Sequence, residues 1–268
     1  NVLERLMSEG RWDEIEFDKI PSKAGLKYKN AFARHDIERM KTDKAVQSYA
    51  DFAKSTETKV NAKALYPYEV VAKAVDVMGC NNYWSRRNDV ALDNTDRLMV
   101  NKYWDNLADY FKGASFNGMA IVDTSGSMWG RPIETSIGLA TYFAQHNTGD
   151  YHGLYMTFTD RPHFIDISRE TTLAGCVAKV NKTDVGYSTN LDRAFEYVLN
   201  HAIDHHITNE DMPKALVVIS DMEIDPYFRG RRNMDFVQKW VAEFAKFGYT
   251  CPKLVMWNVE ARNDTFLS

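Results

Sequence analysis

The chain has 268 residues, a formal net charge of −4, 44% apolar residues and 26% charged residues. That leaves room for one large domain or two modest ones with a real core. No apolar run approaches the roughly 18 residues of a membrane span, and a negative balance argues against indiscriminate binding to nucleic acid.

A chain that opens on Asn1 without a methionine reads as a fragment or a trimmed product. Cys80, Cys176 and Cys251 are odd in number and far apart, with no CxxC. That usage suits reduced thiols better than a disulfide or zinc framework, and it points to a cytoplasmic home. The charge is uneven. Residues 1–113 hold 19 Lys and Arg against 18 Asp and Glu, while 114–268 hold 14 against 19.

Residues 1–113 read as an all-α segment, because no alternating run rich in Val, Ile and Thr interrupts the helical spacing. Tyr28 to Met40 carries Phe32, Ile37 and Met40 among charges. Thr42 to Ala53 sets Val46, Tyr49, Ala50 and Ala53 at helical spacing behind a Thr42 cap. Pro67 opens a helix with Val70, Val71, Ala74 and Val75 on one side. Asp96 to Phe111 gives the stripe Leu98, Met99, Tyr103, Leu107, Tyr110 and Phe111.

From residue 114 the texture changes to strands alternating with helices. Met119–Val122 is a short apolar run of the kind a strand buried on both faces shows. Ile133, Ile137, Ala140 and Ala144 mark the inner face of the next helix. Strands at Gly153–Thr159 and His163–Ile167 are joined by a link too short for a crossover, which predicts an antiparallel hairpin. A short helix through Leu173, Cys176, Val177 and Val180 follows, then a longer one whose stripe is Leu191, Ala194, Phe195, Val198, Leu199 and Ala202. Ala215–Ser220 is another buried strand, Phe236 to Phe244 a helix stopped by Gly248, and Lys253–Val259 the last strand. The order predicts an α/β fold, a doubly wound and mostly parallel sheet over 114–268, after the all-α segment 1–113.

The candidate site lies where such a sheet places ligands, at the C-terminal tips of its strands. Asp123, Ser125 and Ser127 follow the first strand, with Gly126 giving the turn its freedom. Asp-x-Ser-x-Ser also fits an ordinary turn and helix cap. Thr189 precedes the long helix, and Asp221 ends the 215–220 strand. If that strand neighbours the first, five oxygen side chains converge without His or Cys. Such a set suits a hard cation better than zinc.

The set Asp123-Thr-Ser125-Gly-Ser127, Thr189 in Ser-Thr-Asn-Leu and Asp221 in Ile-Ser-Asp resembles the metal-ion-dependent adhesion site of von Willebrand factor A domains. The resemblance covers about residues 114–268 and fills all five positions of that pattern in order. It implies a first strand at the centre of the sheet and the hairpin strand at an edge. It also implies Mg²⁺, or Mn²⁺ or Ca²⁺ in its place, touched by the two serines and the threonine, with the acids acting directly or through water. Such domains capture an acidic residue of a protein partner, which calls for no enzyme activity. Two departures stand out. Glu223 and Asp225 follow Asp221 where the family often has Gly; they could hold a second cation, neutralise the site in a closed state, or face water. The family's last strand and helix are absent or replaced.

The layout of helices followed by this domain resembles the Ro autoantigen (TROVE) ribonucleoproteins, and a plant, microbial and viral family of the same arrangement. Trp12-Asp-Glu-Ile15, Ile20-Pro-Ser-Lys-Ala24, His35-Asp36 and Leu65-Tyr-Pro-Tyr-Glu69 carry it. In the Ro group a ring of helical repeats holds small structured RNA, and residues 1–113 would be the end of such a module. Lys23, Lys27 and Lys29, with Tyr28 among them, have the ingredients for an RNA backbone contact, and equally those of a solvated helix start.

Three other features complete the reading. His201 and His205 sit four residues apart on one helix, but HExxH is missing and no third ligand is evident, so a solvated helix end with His206 is the plainer account. Arg229, Arg231 and Arg232 could steer an acidic ligand or form a surface loop. Neither Gly-x-Ser-x-Gly nor a Walker loop occurs.

Overall fold

The computed structural model describes residues 2–41, 46–77, 94–114, 116–158, 162–180, 190–221 and 232–260. It divides into two compact units, Asn1–Tyr110 with Thr171–Asn181, and Phe111–Glu170 with Lys182–Ser268.

In the first unit the described regular elements are helical. They are α1 (Val2–Ser8), α2 (Ser22–Arg34), α3 (Asp36–Met40), α4 (Tyr49–Lys54), α5 (Pro67–Val77) and α6 (Asn94–Asp105). To these the fold adds α8 (Leu173–Val180), whose residues the sequence pattern grouped with the strands that precede it. The centre is aromatic: Phe17 lies 5.6 Å from Phe32, 5.0 Å from Tyr49 and 5.3 Å from Phe52, centroid to centroid. Tilted and edge-on pairs at these separations match ring edge to ring face.

Three boundaries differ from the periodicity, each for a local reason. The expected helix Tyr28 to Met40 starts earlier, at Ser22 behind Pro21, and breaks at His35. There the imidazole stacks on Trp12 at 4.0 Å and 6°, and Asp36 Oδ1 accepts the Tyr49 amide at 2.7 Å. Thr42, the expected cap, lies outside the described residues; α4 is capped instead by Ser48, whose hydroxyl accepts the Asp51 amide at 3.0 Å. The helix expected to reach Phe111 ends at Asp105. Asn106 Nδ2 donates to the Lys102 carbonyl at 2.9 Å in place of a continuing turn. Phe111 itself packs in the second unit, 5.7 Å from Phe116 and 5.5 Å from Tyr142.

The second unit is the predicted α/β layer structure. Its strands are β1 (Met119–Asp123), β2 (Leu154–Phe158), β3 (Phe164–Asp166), β4 (Ala215–Ser220) and β5 (Lys253–Asn258), in spatial order β3-β2-β1-β4-β5. β1 is central and runs parallel to β2 and β4, β4 runs parallel to β5, and β3, at one edge, is the single antiparallel strand among the described residues. Its helices are α7 (Arg131–His146), α9 (Leu191–Asp204) and α10 (Arg232–Lys246).

Period-two alternation sorts the strand residues between two faces. Met119, Ile121, Met156, Leu216 and Val218 join one buried cluster with Leu191, Phe195 and Val198 of α9 and with Trp240 and Phe244 of α10. Ala120 and Val122 take the other face of β1, on which α7 buries Ile133, Ile137 and Ala140. Gly153 makes the entry to β2, at φ +75°; a Cβ there would stand 2.7 Å from Ser168 Cα, so only glycine lets the hairpin close.

Candidate functional site

The tips of β1 and β4 are adjacent because their register pairs Val122 with Ile219. The next residues, Asp123 and Ser220, then stand side by side, and Ser220 Oγ donates to Asp123 Oδ2 at 2.6 Å. The other oxygen, Asp123 Oδ1, accepts the Ser125 backbone N–H at 2.9 Å. That Asx turn bends the chain out of the strand, into a single 3₁₀ turn over Gly126–Met128. The Met128 side chain is buried beneath it, and its sulfur accepts the Asp221 N–H at 3.1 Å. Two loops 93 residues apart are thereby tied directly.

The turn leaves Ser125 and Ser127 half-buried with their hydroxyl oxygens 3.1 Å apart. Asp123 is 1% exposed and Asp221 6% exposed. Burial raises the Asp123 carboxyl above its ordinary range; the Ser220 and Ser125 hydrogen bonds pull it back, and the nearby Asp221 carboxylate pushes it up again. Two acids held out of water against each other are an arrangement that a divalent cation relieves. The hydroxyls fit the same occupant: neighbouring ligands of an octahedral Mg²⁺, each about 2.1 Å from the ion, stand about 3.0 Å apart.

Of the sequence-predicted set, the structure brings together Asp123, Ser125, Ser127 and Asp221. Thr189, Glu223 and Asp225 lie outside the described residues, as do Arg229 and Arg231. Two contributors went unassigned in the sequence. Ser220 orients Asp123, and its place just before Asp221 in Ile-Ser-Asp was the available signal. Met128 underpins the turn, and nothing local marks it out. Among the described residues no three His, Cys, Asp or Glu side chains gather as a metal-ligand group. The His201 and His205 rings lie 4.1 Å apart, centroid to centroid, tilted by 32°.

The basic stretch of the helical unit is not one surface. Lys29 is buried and its ammonium pairs with Asp96 Oδ1 at 2.8 Å, so the candidate RNA contact loses that residue to the fold. Lys23 reaches Glu69 at 3.2 Å and Lys27 lies 4.8 Å over the Tyr28 ring.

Residues 117–266 match a family described as Domain of unknown function (DUF7788), and residues 1–115 match a second, Domain of unknown function (DUF2828). The chain is 31% identical over 278 residues to Uncharacterized protein L728 of Acanthamoeba polyphaga mimivirus, covering 99% of this chain and 45% of that one. It thus spans less than half the length of that curated relative. Among solved structures, the Deinococcus radiodurans RO (RSR) protein aligns with a TM-score of 0.44 at 13% identity, over 97% of this chain and 53% of the other.

Proposed function

Since the chain belongs to the family of Domain of unknown function (DUF7788), we propose that its α/β unit is a non-enzymatic recognition domain that uses a divalent cation, Mg²⁺ first, to capture an acidic group of a protein partner. The observation that carries this is the meeting of two strand tips, which sets the Ser125 and Ser127 hydroxyls 3.1 Å apart beside two buried carboxylates. Asp123, Ser125, Ser127 and Asp221 would hold the ion, with Thr189 as the fifth donor that the resemblance to A domains implies. When bound, the ion supplies an open coordination position for a carboxylate from outside, since hard cations take oxygen ligands and Mg²⁺ keeps waters that a ligand can replace.

The chain's own residues do the positioning. Ser220 and the Ser125 amide fix both oxygens of Asp123, and Met128 holds the Asp221 backbone against the turn. Two carboxylates balance the charge of a divalent ion, so the neutral hydroxyls need bring none. This reading asks for no nucleophile and no general base.

The test is calorimetric. Titration of Mn²⁺ or Mg²⁺ into the protein is expected to show saturable binding that Asp123→Ala with Asp221→Ala abolishes while the far-ultraviolet circular dichroism is kept; an unchanged titration would overturn the site. A pull-down with and without EDTA then separates the readings, because chelation is expected to release an acidic protein partner. Retention of small structured RNA by the helical segment would be indifferent to chelation and would weaken as salt rises. We rank RNA contact second, because the fold leaves only Lys23 and Lys27 of the basic stretch at the surface.

A further inference from the structure

The C-terminal end of α9 carries two imidazoles that take no part in the strand-tip site. His201 lies in the last turn of the helix and His205 is its C-cap residue. A separation of four residues sets both on one face, and their ring centroids are 4.1 Å apart. Two nitrogens that share a tetrahedral ion at 2.0–2.1 Å stand about 3.3 Å from each other. That spacing is within reach of imidazoles this close.

The hydrogen bonding leaves a nitrogen of each ring available. His205 Nδ1 meets the His201 carbonyl at 3.0 Å. A carbonyl only accepts, so Nδ1 carries the proton and Nε2 keeps its lone pair. Ligating histidines are commonly held this way, with one ring nitrogen donating to a backbone carbonyl while the other faces the ion. The His201 ring makes no hydrogen bond among the described residues. Packing holds it instead, 4.5 Å from Phe164 and 5.8 Å from Tyr151.

The charges around the pair suit a cation. Burial and His205 disfavour a proton on His201, while Asp204 and Asp150 favour positive charge there. A neutral ring bound to a metal ion answers all four. The last turn of a helix is also the negative end of its dipole.

We propose that His201 and His205 form a second metal site, for a borderline divalent cation, Zn²⁺ first and Cu²⁺ or Ni²⁺ in its place. Imidazole suits these ions, whereas Mg²⁺ takes oxygen donors, so the pair differs in chemistry from the strand-tip site. It differs in place as well. Asn147 Nδ2 donates both to the carbonyl of Tyr151, against which His201 packs, and to that of Gly118. Gly118 precedes β1, at the end opposite Asp123. Among the described residues no third His, Cys, Asp or Glu completes a ligand group, so water fills the remaining positions and the bound ion is exchangeable.

Calorimetric titration of Zn²⁺ into the whole chain, with its thiols kept reduced, tests this. One Zn²⁺ is expected to bind at the pair. His205→Gln alters an exposed ring and should weaken that binding at least tenfold with circular dichroism unchanged; His201→Gln should do the same. Asp123→Ala with Asp221→Ala should leave the zinc titration as it was. Nitrogen NMR of the imidazoles supplies a second readout, in which Zn²⁺ moves the Nε2 signal of His205 and one ring nitrogen of His201. Absence of zinc binding, binding indifferent to either glutamine substitution, or unmoved His201 and His205 signals would each overturn the proposal.

Discussion

The residue that shows most plainly what burial demands is Lys102. Its ammonium is enclosed in the helical unit, where it donates to the Phe52 carbonyl at 2.8 Å, to the Ser55 carbonyl, and to Thr58 Oγ1 at 3.1 Å. It also lies 4.7 Å over the Phe52 ring. Burial lowers its pKa below the usual lysine range, yet three oxygens satisfy its three donors. Lys102→Met keeps the stem and deletes the donors, leaving acceptors enclosed without partners. The expected cost is about 2–3 kcal/mol, read as a lower urea midpoint. Asp123 in the second unit shows the opposite pattern: its hydrogen bonds only partly offset burial and a second carboxylate. Sequence alone named Asp123 as a site residue; the two donors that fix it came from the pairing of strands.

Among the elements, turns and caps carry the sharpest expectations. Gly153→Ala would force a side chain into left-handed backbone at φ +75° and within 2.7 Å of Ser168 Cα and Cβ. The β2–β3 hairpin should therefore lose about 2–4 kcal/mol, measured by thermal or urea unfolding. Ser48→Ala removes the cap of α4 and should cost about 1 kcal/mol in the same measurement. The long stripe of α9 and the apolar runs of β1 and β4 were legible from spacing alone, since each is buried by a period that its own residues carry. The boundaries at His35, Ser48 and Asp105 were not, because each is set by a partner elsewhere in the chain or by a side-chain cap that competes equally with others nearby.

For the molecule as a whole, a pH dependence follows from His201 in the α/β unit. Its ring packs 4.5 Å from Phe164 and 4.1 Å from His205. Burial lowers its pKa below the ordinary 6.5, His205 lowers it further, and Asp204 and Asp150 act the other way. A histidine with a depressed folded pKa stays neutral in the fold while the unfolded chain takes up the proton. Stability is therefore full above about pH 6.5 and falls as pH drops through that value and below. His201→Phe should flatten this fall, seen in unfolding midpoints between pH 7 and 5. No described helix is long and apolar enough to cross a membrane. The chain spans 45% of the length of the mimivirus relative that it matches.

What the sequence by itself determined is the order of strands and helices, the face each buries, and the oxygen-rich turn after β1. Those properties are local: they rest on side-chain period, on the fixed φ of proline and on the turn chemistry of Asp, Ser and Gly. Only the tertiary structure decided that β4 lies beside β1, that Ser220 and Met128 lock the two tips together, and that Lys29 is spent on Asp96 inside the fold. Those facts depend on contacts between residues dozens of positions apart, which no local pattern encodes.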